Sequence, residues 1–262
     1  MAGAFERSGS CLRQVAHTFI LLQRPFNGKD RGPNLKLQVS VCHYGSMTET
    51  TYKPVVVWSK PESERAGTPL LVLFHGYLSN EEDLMGLVPG LPEDFTVAAV
   101  RAPVALGPGF SWFPLMHEPD FSVDKVTKAA ADVWSWLDTV KDQHSSVSVL
   151  GFSMGMAVAT SIMRHRPEEI AAVIGLSGFV IPADGDPFFN DEAVKSLKPA
   201  VFWGRDQEDQ VITPDKIEYS HAWLNEHVDL TKVLYANIGH GINAQELAHV
   251  KEFLTYKVLN AK

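Results

Sequence analysis

Apolar residues along this chain fall into two alternating kinds of run. Residues 69–74 (P-L-L-V-L-F) are continuously apolar and end at His75-Gly76. A run this short, flanked by turn residues, predicts a strand buried on both faces of a parallel sheet. Residues 55–58, 95–100, 147–150, 171–176 and 200–203 read the same way, and residues 230–236 alternate as a further strand. Between the strands the period changes. Over residues 123–140 the apolar positions are 123, 126, 130, 133, 134, 137 and 140, one face of a helix.

Turn and cap residues place the other helices. Ser79 or Asn80 can cap one, with acids in its first turn. A helix over residues 154–164 ends before Pro167. Thr213-Pro214 has a cap residue followed by proline at the first helical position. Asn243 to Glu246 resembles a capping box opening a last helix to about residue 259. Residues 101–115 are rich in Pro and Gly and read as a loop. Strands alternating with helices predict an α/β fold, a mostly parallel central sheet with helices on both faces.

The charge is unevenly spread. Residues 1–46 hold six Lys/Arg and two acids, a net +4, so the other 216 residues carry −12 of the total −8. The first 46 residues read as a basic, poorly ordered extension before a domain at 47–262. A transit peptide, or a start at Met47, fits the same stretch. Cys11 and Cys42 both fall in it, so no disulfide framework or cysteine metal site is expected in the domain. That suits a reducing, cytoplasmic setting. The acidic balance argues against nucleic acid as a partner. No apolar run reaches the roughly 20 residues that span a bilayer, so no stable membrane insertion is expected.

The candidate chemistry centres on Gly151-Phe152-Ser153-Met154-Gly155, a G-x-S-x-G pattern between a predicted strand and a predicted helix. A sharp turn there lifts the serine hydroxyl to the edge of the sheet, at the free N–H groups of a helix start. A serine needs a base. Of the ten histidines, His240 follows the last strand and is flanked by Gly239 and Gly241. The orienting acid is expected after residues 200–203, where the loop offers Asp206, Glu208 and Asp209. Asp209 is preferred because it immediately precedes the Val211-Ile212 pair and the Thr213-Pro214 cap; Asp206 stays an alternative, and two of the three acids are expected to be merely solvated. The chain order Ser153, Asp209, His240 is that of α/β-hydrolases.

With L-F-H-G-Y, R-A-P-V-A-L-G-P-G-F-S-W-F-P-L, L-S-G-F, D-Q-V-I and G-H-G-I standing in order, residues 54–259 resemble the phospholipase/carboxylesterase group of α/β-hydrolases, which includes acyl-protein thioesterases. The resemblance implies the α/β-hydrolase fold and a Ser–Asp–His esterase with no metal or organic cofactor. It implies a small-molecule ester or thioester substrate and a monomer or homodimer. It also supports Asp209, and it makes the backbone N–H groups of Tyr77 and Met154 the oxyanion donors. The chain departs from the group where His75-Gly76-Tyr77-Leu78 replaces H-G-L-G, so that Leu78 narrows the pocket, and where Met154 replaces Gln. Trp112 is the first expectation for substrate contact, with Phe113 and Phe179 beside it and an apolar acyl chain between them. A lysophospholipase, or a non-catalytic binding protein on the same fold, is the alternative reading.

Overall fold

A computed structural model of the chain describes residues 52–261. The expected basic extension over 1–46, with both cysteines, lies outside the described residues. The strands are β1 (Val56–Trp58), β2 (Leu70–Phe74), β3 (Thr96–Val100), β4 (Val104–Leu106), β5 (Gly109–Ser111), β6 (Val147–Phe152), β7 (Ala172–Leu176), β8 (Ala200–Asp206) and β9 (Asp229–Tyr235). The helices are α1 (Val123–Leu137), α2 (Met154–His165), α3 (Asp191–Leu197), α4 (Pro214–His227) and α5 (Ala244–Leu254).

Seven strands form one sheet in the order β1-β3-β2-β6-β7-β8-β9. Only β1 runs antiparallel to its neighbour. The run of continuously apolar strands follows from this burial: every residue of β2, β3 and β7 is buried. Period-two alternation divides them between two cores. Leu70, Val72 and Phe74 face α1 and α2, while Leu71 and Leu73 face α5 and the segment around Leu84. The chain moves outward from β2 to β3, then returns to lay β6 on the other side of β2. At such a reversal the loops leaving neighbouring strands part and open a crevice at their carboxyl ends.

Four elements differ from expectation. The helix expected after Ser79 is a 3₁₀ segment, Asp83–Gly90, because Pro89 and Gly86 oppose a full α-helix. The loop over 101–115 contains the hairpin β4–β5. The last helix widens after Leu254 and ends in a π turn, Thr255–Leu259. Helix α3 was not expected; Asn190 caps it by accepting from the Ala193 N–H. Among the described residues no helix is long and apolar enough to cross a membrane.

Half of the expected capping box is present. Asn243 Oδ1 accepts from the Glu246 N–H at 2.8 Å, but the Glu246 carboxyl turns inward instead of reaching back. It is fully buried, and neither oxygen has a hydrogen-bond partner among the described residues. It rests on Gly204 of β8, where a Cβ would lie 2.1 Å from Oε1. Burial pushes its pKa up to about 7. An unfolded glutamate titrates near 4.3. Between those pH values the native state keeps a proton that the unfolded state has released, so stability falls as pH rises through this window. Glu246→Gln, which keeps the neutral form, should flatten that fall. Urea midpoints from about pH 5 to about pH 8 read it, and equal slopes for the two proteins would count against a buried neutral carboxyl.

Candidate active site

Strand β6 ends at Phe152 and α2 begins at Met154, so Ser153 alone makes the corner. Its backbone lies at φ 56° and ψ −119°, a conformation that costs an L-residue on the order of 1–3 kcal/mol. Close backbone packing holds it there. A Cβ on Gly155 would lie 1.9 Å from the Phe74 carbonyl oxygen, and one on Gly151 would lie 2.1 Å from that of Gly155. Both glycines of the pentapeptide are therefore required by contact. The Ser153 N–H donates to the Leu176 carbonyl at 2.9 Å, tying the corner to β7.

The hydroxyl meets its predicted partners. His240 Nε2 lies 3.0 Å from Ser153 Oγ, and His240 Nδ1 lies 2.9 Å from Asp209 Oδ2. The other carboxylate oxygen, Oδ1, accepts from the Val211 and Ile212 N–H groups at 2.8 and 3.3 Å. With Nδ1 donating to Asp209, Nε2 is left to accept from the serine.

Asp206 is not a solvated bystander. It is buried, and Oδ2 accepts from the Ile238 and Gly239 N–H groups at 2.5 and 2.7 Å. Oδ1 accepts from the Glu208 N–H at 2.8 Å. Asp206 therefore fastens the acid loop to the histidine loop, one residue before His240. These backbone bonds, that to Glu208 first, hold its carboxyl below the usual carboxylate range. The expectation of two solvated acids stands corrected: only Glu208 is exposed. Arg205, the residue before Asp206 on β8, is buried; burial lowers its pKa, and Asp209 and Asp206 oppose that shift.

The segment after His75 is fastened from several sides. Buried His75 has Nδ1 2.7 Å from the Gly76 carbonyl, and Nε2 accepts from the Ala102 N–H at 3.1 Å. That arrangement fixes the neutral imidazole, and burial lowers its pKa. Hairpin β4–β5 docks through Phe110 N–H to Ser79 O at 2.8 Å. Arg101 pairs with Glu81 and lies 4.5 Å over the Phe110 ring. The Tyr77 and Met154 N–H groups donate to no backbone carbonyl outside helices and strands among the described residues. Tyr77, Met154 and Ser153 line one cavity of about 360 Å³.

Phe113, Leu115 and Met116 line that cavity from one segment, and Phe179, Ile212 and Lys216 from others. Two expected contacts lie elsewhere. Trp112 is 2% exposed, stands edge-on to Phe74 and donates Nε1–H to the His75 carbonyl at 3.0 Å. It supports the loop because its indole N–H finds a buried acceptor there. Leu78, at φ 61°, is exposed and does not line the cavity. Met154 packs its sulfur 3.5 Å from Ser111 Oγ. Glu81 and Lys216 were not expected at the site, and Asp206 was expected only as the alternative to Asp209. Of the unexpected two, only Lys216 had a readable signal, its place on the first turn of the helix that follows the acid loop. A hollow of about 630 Å³ behind that loop, lined by Arg205, His221 and Lys232, reaches neither Ser153 nor His240. Among the described residues no cluster of three or more His, Cys, Asp or Glu side chains could hold a metal ion.

The sequence profile of the family described as Phospholipase/Carboxylesterase matches residues 61–258. The putative hydrolase MhqD of Bacillus subtilis (strain 168) is 22% identical over 188 residues, which are 70% of this chain and 91% of that protein. Among solved structures, the Bacillus cereus carboxylesterase is similar at a TM-score of 0.64 and 21% identity, covering 78% of this chain and 94% of that one. Zea mays acyl-protein thioesterase 2 is similar at 0.61 and 21%, covering 78% and 99%.

The geometry of Asp206 predicts a local effect. Asp206→Ala should speed amide exchange at Ile238 and Gly239, and should slow labelling of Ser153 by a fluorophosphonate probe by on the order of tenfold to a hundredfold as the imidazole shifts. Unchanged exchange and labelling would show that the carboxylate does not hold this loop.

Proposed function

The chain belongs to the Phospholipase/Carboxylesterase family, and we propose from that premise that it is a serine hydrolase cleaving carboxylic esters through an acyl-enzyme on Ser153. The observation that carries this reading is the unbroken pair of contacts from Ser153 Oγ to His240 Nε2 at 3.0 Å and from His240 Nδ1 to Asp209 Oδ2 at 2.9 Å.

In the proposed cycle His240 Nε2 takes the Ser153 proton as Oγ attacks the ester carbonyl. Asp209 stabilises the imidazolium that forms and holds its tautomer. The carbonyl oxygen becomes an oxyanion, received by the N–H groups of Met154 and Tyr77. The helix start at Met154 adds the positive end of the α2 dipole. One such donor is worth about 3–4 kcal/mol of barrier. His240 then protonates the leaving alkoxide, and water, deprotonated by the same imidazole, releases the acid. None of these steps calls for a metal or an organic cofactor.

The apolar lining from Phe113, Leu115, Met116 and Phe179 suits a hydrophobic acyl chain. The volume of about 360 Å³ is near the lower end of the about 300–1,000 Å³ usual for ligand pockets, which favours short chains. Thioesters share the chemistry, and the similarity to an acyl-protein thioesterase keeps them as the second reading.

Ser153→Ala should abolish hydrolysis of p-nitrophenyl esters, and Asp209→Asn should lower kcat by about 10⁴ with the fold intact by circular dichroism. Butyrate should be turned over faster than palmitate. Wild-type rates in Ser153→Ala would leave a non-catalytic binding role as the better reading.

A further inference from the structure

Lys216 is an unusual residue for the cavity it lines. It sits on the first turn of α4, with Nζ 4.8 Å from the centroid of the Phe179 ring, and both residues border the space above Ser153. Burial lowers the pKa of its ammonium, and Asp215 only opposes that shift. Asp215 is itself exposed and engaged by the Thr213 side chain. Among the described residues Lys216 makes no hydrogen bond and no ion pair through its side chain, whereas Lys125, Lys128, Lys141, Lys195 and Lys257 each reach a carboxylate. The cavity lining contains no carboxylate at all.

A half-buried cation without a counter-charge is disfavoured unless its partner arrives with the ligand. The aromatic face of Phe179 offsets part of that cost and fixes the direction of the ammonium. The remaining attraction is directed at whatever enters beside Ser153. A purely apolar acyl chain would leave the half-buried charge unpaired; an oxyanion would pair it.

We propose that Lys216 selects esters that carry a second, anionic group, a carboxylate or a phosphate, on the acid or the alcohol half. This rests on the hydrolase reading above. The apolar walls then hold the short carbon chain between the reacting carbonyl and the anion, and the charge pair at Lys216 sets the register of the carbonyl over Ser153.

Three matched pairs test it by kcat/KM. Mono-p-nitrophenyl glutarate against p-nitrophenyl butyrate places the charge on the acyl side. The pair 4-carboxyphenyl acetate and phenyl acetate places it on the leaving group, and 4-acetoxyphenyl phosphate against phenyl acetate replaces carboxylate by phosphate. In the wild type at least one anionic partner should be preferred by about tenfold or more. Lys216→Met should bring that ratio close to unity, and Lys216→Glu should invert it. A wild-type ratio of one or less in every pair, or a preference that survives Lys216→Met, would overturn the proposal while leaving the hydrolase reading intact. Hydrolysis that persists in Ser153→Ala would instead sink the hydrolase reading. Calorimetric titration of glutarate and phenyl phosphate into Ser153→Ala, with and without Lys216→Met, reads the same contact without turnover. Binding of neither anion, or binding that Lys216→Met leaves unchanged, would also overturn it.

Discussion

The arrangement depends on how closely two pieces of backbone approach beneath Ser153. Helix α2 can start where it does only because Gly155 has no side chain to strike the Phe74 carbonyl, and because Gly151 has none to strike Gly155. That contact presses the helix start into the end of β2, its neighbour strand in the sheet. A serine placed between them has no ordinary conformation left, and it takes φ 56°. The strain is local, and the buried, interdigitated α2 offsets it: every residue from Met154 to Arg164 is buried. A hydroxyl on such a corner projects at the carboxyl ends of β2 and β6, so the position of Ser153 Oγ follows from packing and not from any interaction of the hydroxyl itself.

Two long loops must then arrive at that hydroxyl, and carboxylates organise both. Asp206 and Asp209 lie three residues apart at the end of β8 and act differently because their partners differ. Asp206 spends its oxygens on three backbone N–H groups from two loops. It works as a rivet, and its charge is satisfied. Asp209 gives one oxygen to its own loop and keeps the other for His240. Both side chains are buried, so each charge needs such partners. The same logic holds on the opposite side of Ser153, where Trp112, Glu81 and Arg101 secure the chain around Tyr77.

Much of this was legible in the sequence, and the limits have physical reasons. The G-x-S-x-G corner, the late His240 between glycines and the strand pattern are local features that a short window displays. That Asp209, which a helix cap follows at once, is the acid that meets His240 was open to the same kind of reading. The role of Asp206 was not, since its partners Ile238 and Gly239 lie 32 and 33 residues away. Trp112 misled for a related reason. An aromatic in a Pro/Gly-rich loop reads as exposed, yet its N–H found the His75 carbonyl 37 residues earlier and drew the ring into the core. Glu246 followed its local rule only halfway, because Gly204 on a distant strand leaves the hollow that its carboxyl fills. Residues 1–46 lie outside the described residues.

Buried Glu246 and half-buried Lys216, two ionisable side chains with no hydrogen-bond partner among the described residues, differ in a way that bears on function. Glu246 lies in the closed core between β8 and α5, where nothing can enter, and burial resolves its charge by favouring the proton. Lys216 lines a cavity that opens beside Ser153, with no carboxylate in that lining to occupy it, so an incoming anion can pair with it. Closed space selects a neutral residue, whereas open space beside a reactive group selects a ligand of opposite sign. On that distinction the cavity is lined by Phe113, Leu115 and Phe179 for carbon, and by one ammonium for a charge.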